Sequence, residues 1–266
     1  MLVSCKMREK CLFKSIVVTS KLKQEPRTHN VRAKRLIGTL GERSLHAALK
    51  NWYARADDLK EVEVDGFHVD ILRHNLLVEI QTAHFYSLKR KLNLLTERHP
   101  LRLVYPIAQD KWIVRLAKDG VTRLGRRKSP KKGNIFHLFD ELVSIPEFIK
   151  NPNFTLEVLL IQEEEMRCDD GTGSWRRGGL RIADHCLIDV LSQHLFKHPI
   201  DFLELVPSDL PEPFTTKDLA DGIRQPRWVA QQMAYCLRHM GVIEVRGKKG
   251  NALLYGVGCQ VVNCFT

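Results

Sequence analysis

Two acidic residues nine positions apart, Asp70 and Glu79, are the side chains of this sequence whose setting best suits metal chemistry. Each lies inside a short apolar run, His68–Leu72 or Leu76–Ile80, of the kind that forms β-strands. The dipeptide His74-Asn75 suits the two central positions of a tight turn between these runs. The resulting antiparallel hairpin sets Asp70 directly opposite Glu79.

The same register places His68 opposite Gln81, and strand alternation puts both of these and the acidic pair on one sheet face. Two carboxylates opposed at about 5 Å between Cβ atoms repel each other unless a cation lies between them. Mg²⁺ or Mn²⁺ removes that conflict, because such an ion binds a few carboxylate oxygens together with water and phosphate. The alternative is an exposed hairpin with unrelated surface acids, against which the apolar character of both strands argues.

A helix predicted over Ile37–Arg55 precedes the hairpin and carries a third acid near its start. Glu42 lies beside the apolar stripe of that helix, and His46 follows it by one helical turn. Glu42 is therefore able to point at the sheet and join the two strand acids. The other interpretation is an acid that stabilises the positive N-terminal end of the helix dipole.

The elements after the hairpin complete an α/β arrangement. The predicted helices are Thr82–Arg98 and Ile135–Leu142, and the predicted strands are Leu101–Ile107, Trp112–Leu116 and Phe154–Gln162. A strand predicted at Glu61–Val64 joins the hairpin in a three-strand meander. The order helix, three-strand meander, helix, strand predicts a mixed sheet with flanking helices. We place this domain at residues 36–168.

These residues resemble the PD-(D/E)XK nuclease superfamily, which has the restriction-endonuclease-like fold. The resemblance covers residues 36–115 and rests on an acid-bearing helix followed by a β-meander that carries Asp and then Glu-x-Lys. It implies that Asp70, Glu79 and the Ile80 carbonyl bind Mg²⁺ or Mn²⁺. It also implies that Glu42 matches the helix acid found in many members.

The sequence departs from the family pattern at Gln81, where a lysine that positions or polarises the attacking water is usual. Some active enzymes of this fold carry glutamine there, and in others a basic residue comes from the following helix. Lys89 and Lys91 are available on that helix, and solvated surface lysines are the other interpretation. The candidate catalytic set is Glu42, Asp70, Glu79, Gln81 and Lys91.

The resemblance implies a divalent-metal-dependent nuclease that cleaves phosphodiester bonds in nucleic acid, with DNA favoured. The metal lowers the pKa of a bound water and offsets charge that develops on the scissile phosphate. Gln81 orients that water by hydrogen bonding but donates no positive charge. The alternative, for which Gln81 is the reason, is a catalytically inactive protein of this fold that binds nucleic acid or acts as a protein adaptor.

A second, α+β domain is predicted over residues 181–266, after a glycine-rich linker at residues 169–180. A helix over Arg181–Phe196, a helix opened by a capping box at Thr215, and a helix from Pro226 to His239 precede a β-hairpin. This order resembles the winged helix-turn-helix, with the third helix as recognition helix. The predicted nucleic-acid contacts are Arg227 and Gln231, with Gln232 and Arg238 nearby, and Lys248 and Lys249 at the wing tip. The alternative is an adaptor that contacts protein.

The net charge of +11 is unevenly distributed. Residues 1–35 carry ten Lys/Arg and two Asp/Glu in a basic tail with little hydrophobic periodicity, a composition found in disordered arms that follow phosphate backbones. The predicted folded regions are nearly neutral, so their nucleic-acid contacts depend on local patches. One patch is a basic loop over residues 123–132, in which Arg126, Arg127 and Lys128 are candidate phosphate contacts. A solubilising loop is the other interpretation.

Composition narrows the class of protein. No apolar run reaches the roughly 18 residues that span a bilayer, so we expect a soluble, cytoplasmic protein with no membrane partner. The seven cysteines are scattered and odd in number, as expected for reduced thiols rather than a disulfide framework or a zinc site. The sequence allows a homodimer but does not predict the oligomeric state.

Overall fold

The structure is a computed structural model that describes residues 40–175 and 178–258, with side chains from residue 44 onward. The basic tail predicted at residues 1–35 lies outside the described residues. Among the residues described, no helix is both long enough and apolar enough to cross a membrane.

A seven-stranded mixed sheet forms the centre of the molecule. Its strands are β1 (Leu59–Val64), β2 (Phe67–Arg73), β3 (Leu76–Ile80), β4 (Leu101–Leu116), β5 (Arg123–Lys128), β6 (Phe154–Cys168) and β7 (Arg181–Phe196). Their order across the sheet is β1-β2-β3-β4-β6-β7, and β5 pairs with part of β4. β3, β4 and β6 are parallel, whereas the other neighbours are antiparallel. The predicted mixed sheet is therefore confirmed.

The hairpin of β2 and β3 has the predicted register. Ile71 pairs with Val78, so the turn consists of His74-Asn75. His74 adopts a positive φ of 53°, which two-residue hairpin turns commonly require. The paired residues end at Ile71 and Val78, one position short of the two acids.

β4 and β6 are longer than the sequence predicts. The predicted strands Leu101–Ile107 and Trp112–Leu116 are one 16-residue strand, and β6 continues to Cys168. The two strands pair in parallel, with one irregularity between Ala108 and Asp110. This pairing satisfies the backbone through the polar middle of β4, whose composition alone predicts a break.

Helices cover both faces of the sheet. On one face, α1 (Leu40–Tyr53) buries Leu45 and Leu49 against β2, β3, β4 and β6. On the other face lie α2 (Lys89–Thr96), preceded by a 3₁₀ turn, and α3 (Leu138–Leu142). The predicted flanking helices are confirmed, although α2 is shorter than predicted.

Residues Arg181–Phe196 form β7, so the helix predicted there is wrong. The apolar residues of this segment satisfy helical spacing, but the segment pairs with β6 at the edge of the sheet. Tertiary pairing decides the conformation here, because the local pattern fits both states. Residues 169–180 connect two adjacent antiparallel strands. They are therefore a hairpin connection and not the predicted interdomain linker.

The C-terminal region contains the two later helices and the hairpin that the sequence predicts. α4 (Thr216–Ile223) begins at a Thr215 cap that exchanges hydrogen bonds with Asp218, and α5 (Arg227–Met240) ends at Gly241. β8 (Ile243–Lys249) and β9 (Ala252–Val257) form a separate two-stranded sheet. A 3₁₀ segment at Pro199–Leu205 precedes α4 in place of a first helix.

One hydrophobic core joins the C-terminal helices to the central sheet. Met233 and Leu237 of α5 lie in the same buried cluster as Phe139 of α3 and Phe154 of β6. α5 therefore exposes only a narrow face. The exposed residues of that helix are Arg227, Trp228, Gln231, Tyr235 and Arg238.

Candidate functional site

The carboxylate of Asp70 lies where β2 and β3 separate. Their ladder ends at Ile71 and Val78, and beyond it the Ile80 amide donates to Asp70 Oδ2 at 2.8 Å. Asp70 is buried, with 8% of its surface exposed. Its side chain takes the place of a backbone acceptor, which fixes the carboxylate in the fork between the strands.

His46 of α1 meets the same carboxylate. Its Nε2 lies 3.1 Å from Asp70 Oδ2 and 2.9 Å from the Ile80 carbonyl oxygen. Lys50, one turn further along α1, places Nζ 3.6 Å from Asp70 Oδ1 and also pairs with Glu61. The sequence pattern marks His46 only as a neighbour of a helix acid, and it gives no signal for Lys50.

These contacts influence the protonation states of Asp70 and His46. Burial favours the neutral form of Asp70, but hydrogen bonds from His46 and the Ile80 amide, with the charges of His46 and Lys50, outweigh it. The pKa of Asp70 therefore lies below its ordinary value, and the carboxyl group is ionised at neutral pH. The hydrogen bond to Asp70 raises the pKa of His46, although burial opposes this.

Glu79 is equally buried but pairs with a different helix. Lys91 of α2 places Nζ 2.5 Å from Glu79 Oε2 and donates to the His68 carbonyl oxygen. Burial raises the pKa of Glu79; the charge of Lys91 offsets part of this effect, and the charge of Asp70 adds to it. Lys91, and not the exposed Lys89, is the lysine at the candidate site.

The two acids do not present their carboxylates on one sheet face, so that prediction is wrong. Asp70 is bound by α1 and Glu79 by α2, which lie on opposite faces, because regular pairing of the strands ends before these residues. Lys50 and Lys91 supply positive charge that the hairpin argument assigns to a divalent ion. Charge balance alone therefore does not require a metal.

Gln81 lies at the end of β3 beside an open cavity. Its backbone amide donates to the Val104 carbonyl oxygen at 2.9 Å, and its side-chain amide donates to the Ala83 carbonyl oxygen. The cavity has a volume of about 360 Å³, and His46, Ile80 and Gln81 form part of its lining. The cavity thus adjoins His46 and Ile80, the two residues that form hydrogen bonds with Asp70.

A second cavity, of about 240 Å³, shares Thr82 and Ala83 with the first and extends across the sheet to Glu163 and His185. Glu163 Oε1 lies 3.3 Å from His185 Nδ1 and 2.8 Å from Lys111 Nζ. The two cavities therefore adjoin, and we call them together the cleft; its far wall carries a histidine and an acid, and Lys111 pairs with that acid. None of these three residues is predicted from the sequence to have a functional role.

The acids of this far wall are already neutralised by protein groups. In the part of the chain that the structure describes, Glu163, Glu165 and His185 form the one group of potential metal ligands within 4.8 Å of one another. Burial raises the pKa of both glutamates, but His185 and Lys111 at Glu163, and Lys111 and Arg167 at Glu165, outweigh it, so both values lie below ordinary ones. The sequence signal for this cluster is the acidic run Glu163–Glu165, which follows the largely apolar first half of the strand.

The segment predicted as a basic loop begins with a strand, because Arg123–Lys128 pairs with β4 as β5. Arg126 Nε lies 2.7 Å from Glu164 Oε1, and its guanidinium lies over the Trp112 ring at 4.7 Å. Lys128 lies over the same ring at 5.1 Å. Arg127 is exposed. Of the three candidate phosphate contacts, two are thus held by neighbouring side chains.

The remaining candidates are Glu42 and four residues of the C-terminal region. Glu42 is in the first turn of α1, and its side chain lies outside the described residues. The candidates in the C-terminal region, Arg227, Gln231, Lys248 and Lys249, are all exposed.

These features define a mixed α/β protein with two buried acids at a forked β-hairpin, each paired with basic residues of a flanking helix. The chain belongs to the family described as Domain of unknown function (DUF8091), which matches residues 43–197. The match spans the whole central sheet and ends just after β7. A protein of Treponema pallidum (strain Nichols), described as an uncharacterized protein, is 30% identical over 223 residues, which cover 82% of this chain and 86% of that protein. No solved structure matches the chain.

Proposed function

We propose that the chain is a divalent-metal-dependent nuclease that cleaves phosphodiester bonds in nucleic acid, with DNA as the favoured substrate. One observation carries the proposal: Asp70 Oδ2 and the Ile80 carbonyl oxygen converge on a single point beside the cavity that Gln81 lines. Both oxygens lie within 3.1 Å of His46 Nε2, which marks that point.

The donors at this point fit Mg²⁺ or Mn²⁺. A carboxylate and a backbone carbonyl are hard oxygen ligands of the kind that both ions take. Asp70 is held in its ionised form, as a metal ligand must be. Glu79 is the second acid of the proposed site, and a bound cation would lower its raised pKa. His46 would either ligate the ion as a neutral imidazole or turn towards the cavity.

The order of elements supports a restriction-endonuclease-like fold. α1, the antiparallel strands β1 to β3, α2 and β4 follow one another, and β3 and β4 are adjacent and parallel. In this proposal, the acid of β2 and the Glu-x-Gln of β3 correspond to the Asp and Glu-x-Lys of the PD-(D/E)XK superfamily that the sequence resembles. β6 and β7 extend the sheet beyond this core.

In the proposed reaction, the residues of the chain bind and orient the reacting groups. A bound divalent ion would lower the pKa of a bound water and offset charge on the phosphate. Asp70 and the Ile80 carbonyl would hold that ion, and Glu79 would join them only by turning its carboxylate away from Lys91 on the other face. The amide oxygen of Gln81 would accept a hydrogen bond from the attacking water without adding charge.

We also propose that the C-terminal region is a winged helix that grips the substrate. α4, α5 and the β8–β9 hairpin follow the order of the second and third helices and the wing of that fold, and an isolated bridge joins Phe214 to Tyr255. α5 contains no acidic residue and exposes Arg227 and Gln231. Together with the wing-tip lysines, this face suits contact with phosphates.

The test incubates the purified full-length protein with single- and double-stranded DNA and RNA, in Mg²⁺, Mn²⁺ or EDTA. We expect metal-dependent cleavage that Asp70→Asn and Glu79→Gln each reduce by about 100-fold or more, since each removes a proposed ligand. Asp209→Asn, which changes an exposed aspartate, is the matched control. Cleavage that persists in both site variants would place the active site elsewhere.

A catalytically inactive nucleic-acid-binding protein is the second candidate function. It is favoured by the Gln81 side chain, whose amide donates to the Ala83 carbonyl oxygen, and by the lysines that already neutralise both acids. This candidate predicts salt-dependent binding without cleavage in either metal. An active wild type excludes it.

A further inference from the structure

A third cavity, of about 540 Å³, lies over the β4–β5 hairpin. Arg115, Arg127 and Arg167 contribute to its lining, beside Arg126, which Glu164 and Trp112 hold, and the apolar Ile113 and Leu180. Nothing in the hairpin-acid site requires these arginines. Their grouping needs a separate explanation.

The strand register explains why three arginines lie together. Arg115 of β4 pairs with Arg167 of β6 on one side and with Gly125 of β5 on the other. Arg127 lies two residues beyond Gly125 and hence on the same face of β5. Gly125 leaves open space between them, because a Cβ atom there would meet no other atom within 4 Å.

The three guanidinium groups differ in how far they are neutralised. Arg167 places Nε and Nη2 each 2.6 Å from Glu165 Oε1, so its side chain is fixed. Arg115 pairs with the half-exposed Asp169 only at 3.5 Å. Arg127 forms no ion pair with any residue within 40–175 and 178–258. Like charges on neighbouring strands repel one another, and an anion between them would remove the repulsion.

Phosphate is the anion that suits this arrangement. A guanidinium group such as that of Arg127 donates two parallel hydrogen bonds to phosphate oxygens. Arg167, whose Nε and Nη2 are held by Glu165, offers its remaining donors from a fixed position. Every second residue of β4 from Lys111 to Arg115 points to the same face of the sheet. Because Lys111 contacts Glu163, this is also the face of the cleft wall. At about 3.3 Å per residue, β4 carries this face roughly 23 Å from Ala108 in the cleft to Arg115.

We propose that Arg115, Arg127 and Arg167 form a phosphate-binding site for a nucleic-acid strand that runs along this face of the sheet from the candidate active site. The inference depends on the proposed function for the identity of the polymer but not for its cleavage. Of the three basic residues predicted to contact phosphate, the proposed site includes only Arg127. Arg126 and Lys128 are held by Trp112 and by acids.

The test measures binding without chemistry. The full-length Asp70→Asn protein in EDTA is titrated with labelled single-stranded DNA, and separately with its duplex, across a range of salt concentrations. Arg127→Ala and Arg115→Ala are each expected to weaken binding by roughly five- to tenfold at about 0.1 M salt and to reduce the log–log salt slope by about 0.7–0.9. Arg127→Lys should retain the slope, because it retains the charge.

Arg98→Ala is the matched control, because it removes an exposed arginine near the opposite end of β4. Wild-type affinity and slope in both Arg127→Ala and Arg115→Ala would overturn the proposal. An equal loss in Arg98→Ala would also overturn it, by showing general charge attraction. If the wild type does not cleave while the arginine variants behave as expected, the nuclease proposal fails and this site stands.

Discussion

His46 Nε2 lies 3.1 Å from Asp70 Oδ2, so a helix side chain on one face of the sheet binds the acid of the second strand. The same nitrogen lies 2.9 Å from the Ile80 carbonyl oxygen. A hydrogen-bond donor therefore stands where a cation would find two oxygen ligands. This relationship links the stability of the site to its protonation state.

The first prediction concerns the pH dependence of that pair. Because the pKa of His46 is raised above 6.5, protonated His46 stabilises the folded state fully below about pH 6.5, and this contribution is lost as pH rises through the raised value. His46→Gln should therefore lower the free energy of unfolding most at pH 5.5–6.5, and the difference from wild type should shrink at higher pH. Urea unfolding of both proteins across this range, in EDTA, measures the difference.

His68→Gln serves as its control, since His68 is exposed on the neighbouring strand. The variant should stay close to wild type at every pH. A His46→Gln difference that does not change with pH would contradict a protonated imidazole at Asp70.

The second prediction concerns the pair of Lys91 and Glu79, whose side chains are 14% and 10% exposed. Lys91→Met leaves an unpaired buried carboxylate, so it should lower the free energy of unfolding by about 3–5 kcal/mol at neutral pH. The double variant Lys91→Met/Glu79→Gln should recover most of that loss, because no buried charge remains. Chemical unfolding of the double-mutant cycle provides the measurement, and strictly additive losses would show that the two side chains do not interact.

The third prediction concerns Lys111, which lies between Glu163 and Glu165. In the wild type, the lowered pKa values of these acids contribute stability above about pH 4.5, which is lost as pH falls through the folded-state values. Lys111→Met removes a principal cause of the lowering, so burial then raises both values. The destabilisation caused by Lys111→Met should therefore grow from about pH 4 to pH 7.

Thermal unfolding of Lys111→Met and wild type at a series of pH values tests this. Lys118→Met, which changes a lysine in the loop that follows β4, is the comparison variant. An equal loss of stability at pH 4 and pH 7 would assign Lys111 a packing role instead.

The fourth prediction concerns Gly133, which lies in the segment after β5 and contacts Ala108 in the cleft wall. Its amide donates to the Ala108 carbonyl oxygen at 3.0 Å, and a Cβ atom would lie 2.4 Å from that same oxygen. Gly133→Ala should lower the free energy of unfolding by about 1–3 kcal/mol, because backbone must move to admit the methyl group. Gly125→Ala, where the added atom meets open space, should cost less than about 1 kcal/mol. Equal effects in urea unfolding would contradict this packing.

Sequence patterns predict the elements whose signals are local. The hairpin register follows from two apolar strands and a two-residue turn, and it holds as far as the strands pair. α4 and α5 follow from a capping box and a terminal glycine. In each case the residues that decide the structure are close together in the chain.

The strand β7 shows where such signals fail. The spacing of its apolar residues fits a helix. The segment is a strand because it pairs with the edge of β6, and its own residues carry no signal for that pairing. The same long-range pairing joins the two predicted strands of β4. Local propensity cannot decide the conformation of these segments, because the strand with which each one pairs lies outside the stretch of sequence that sets the propensity.

Sequence alone determined that Asp70 and Glu79 occupy adjacent strands in an apolar setting, because alternation and turn length fix a hairpin locally. Only the tertiary structure decided what surrounds each carboxylate. The pairing of β2 with β3 ends at Ile71 and Val78, so the two side chains turn to helices on opposite faces. His46 and Lys50 bind Asp70, and Lys91 binds Glu79. Those partners come from separate helices packed on separate faces, and the charge of a buried acid depends on the groups that packing brings within a few ångströms.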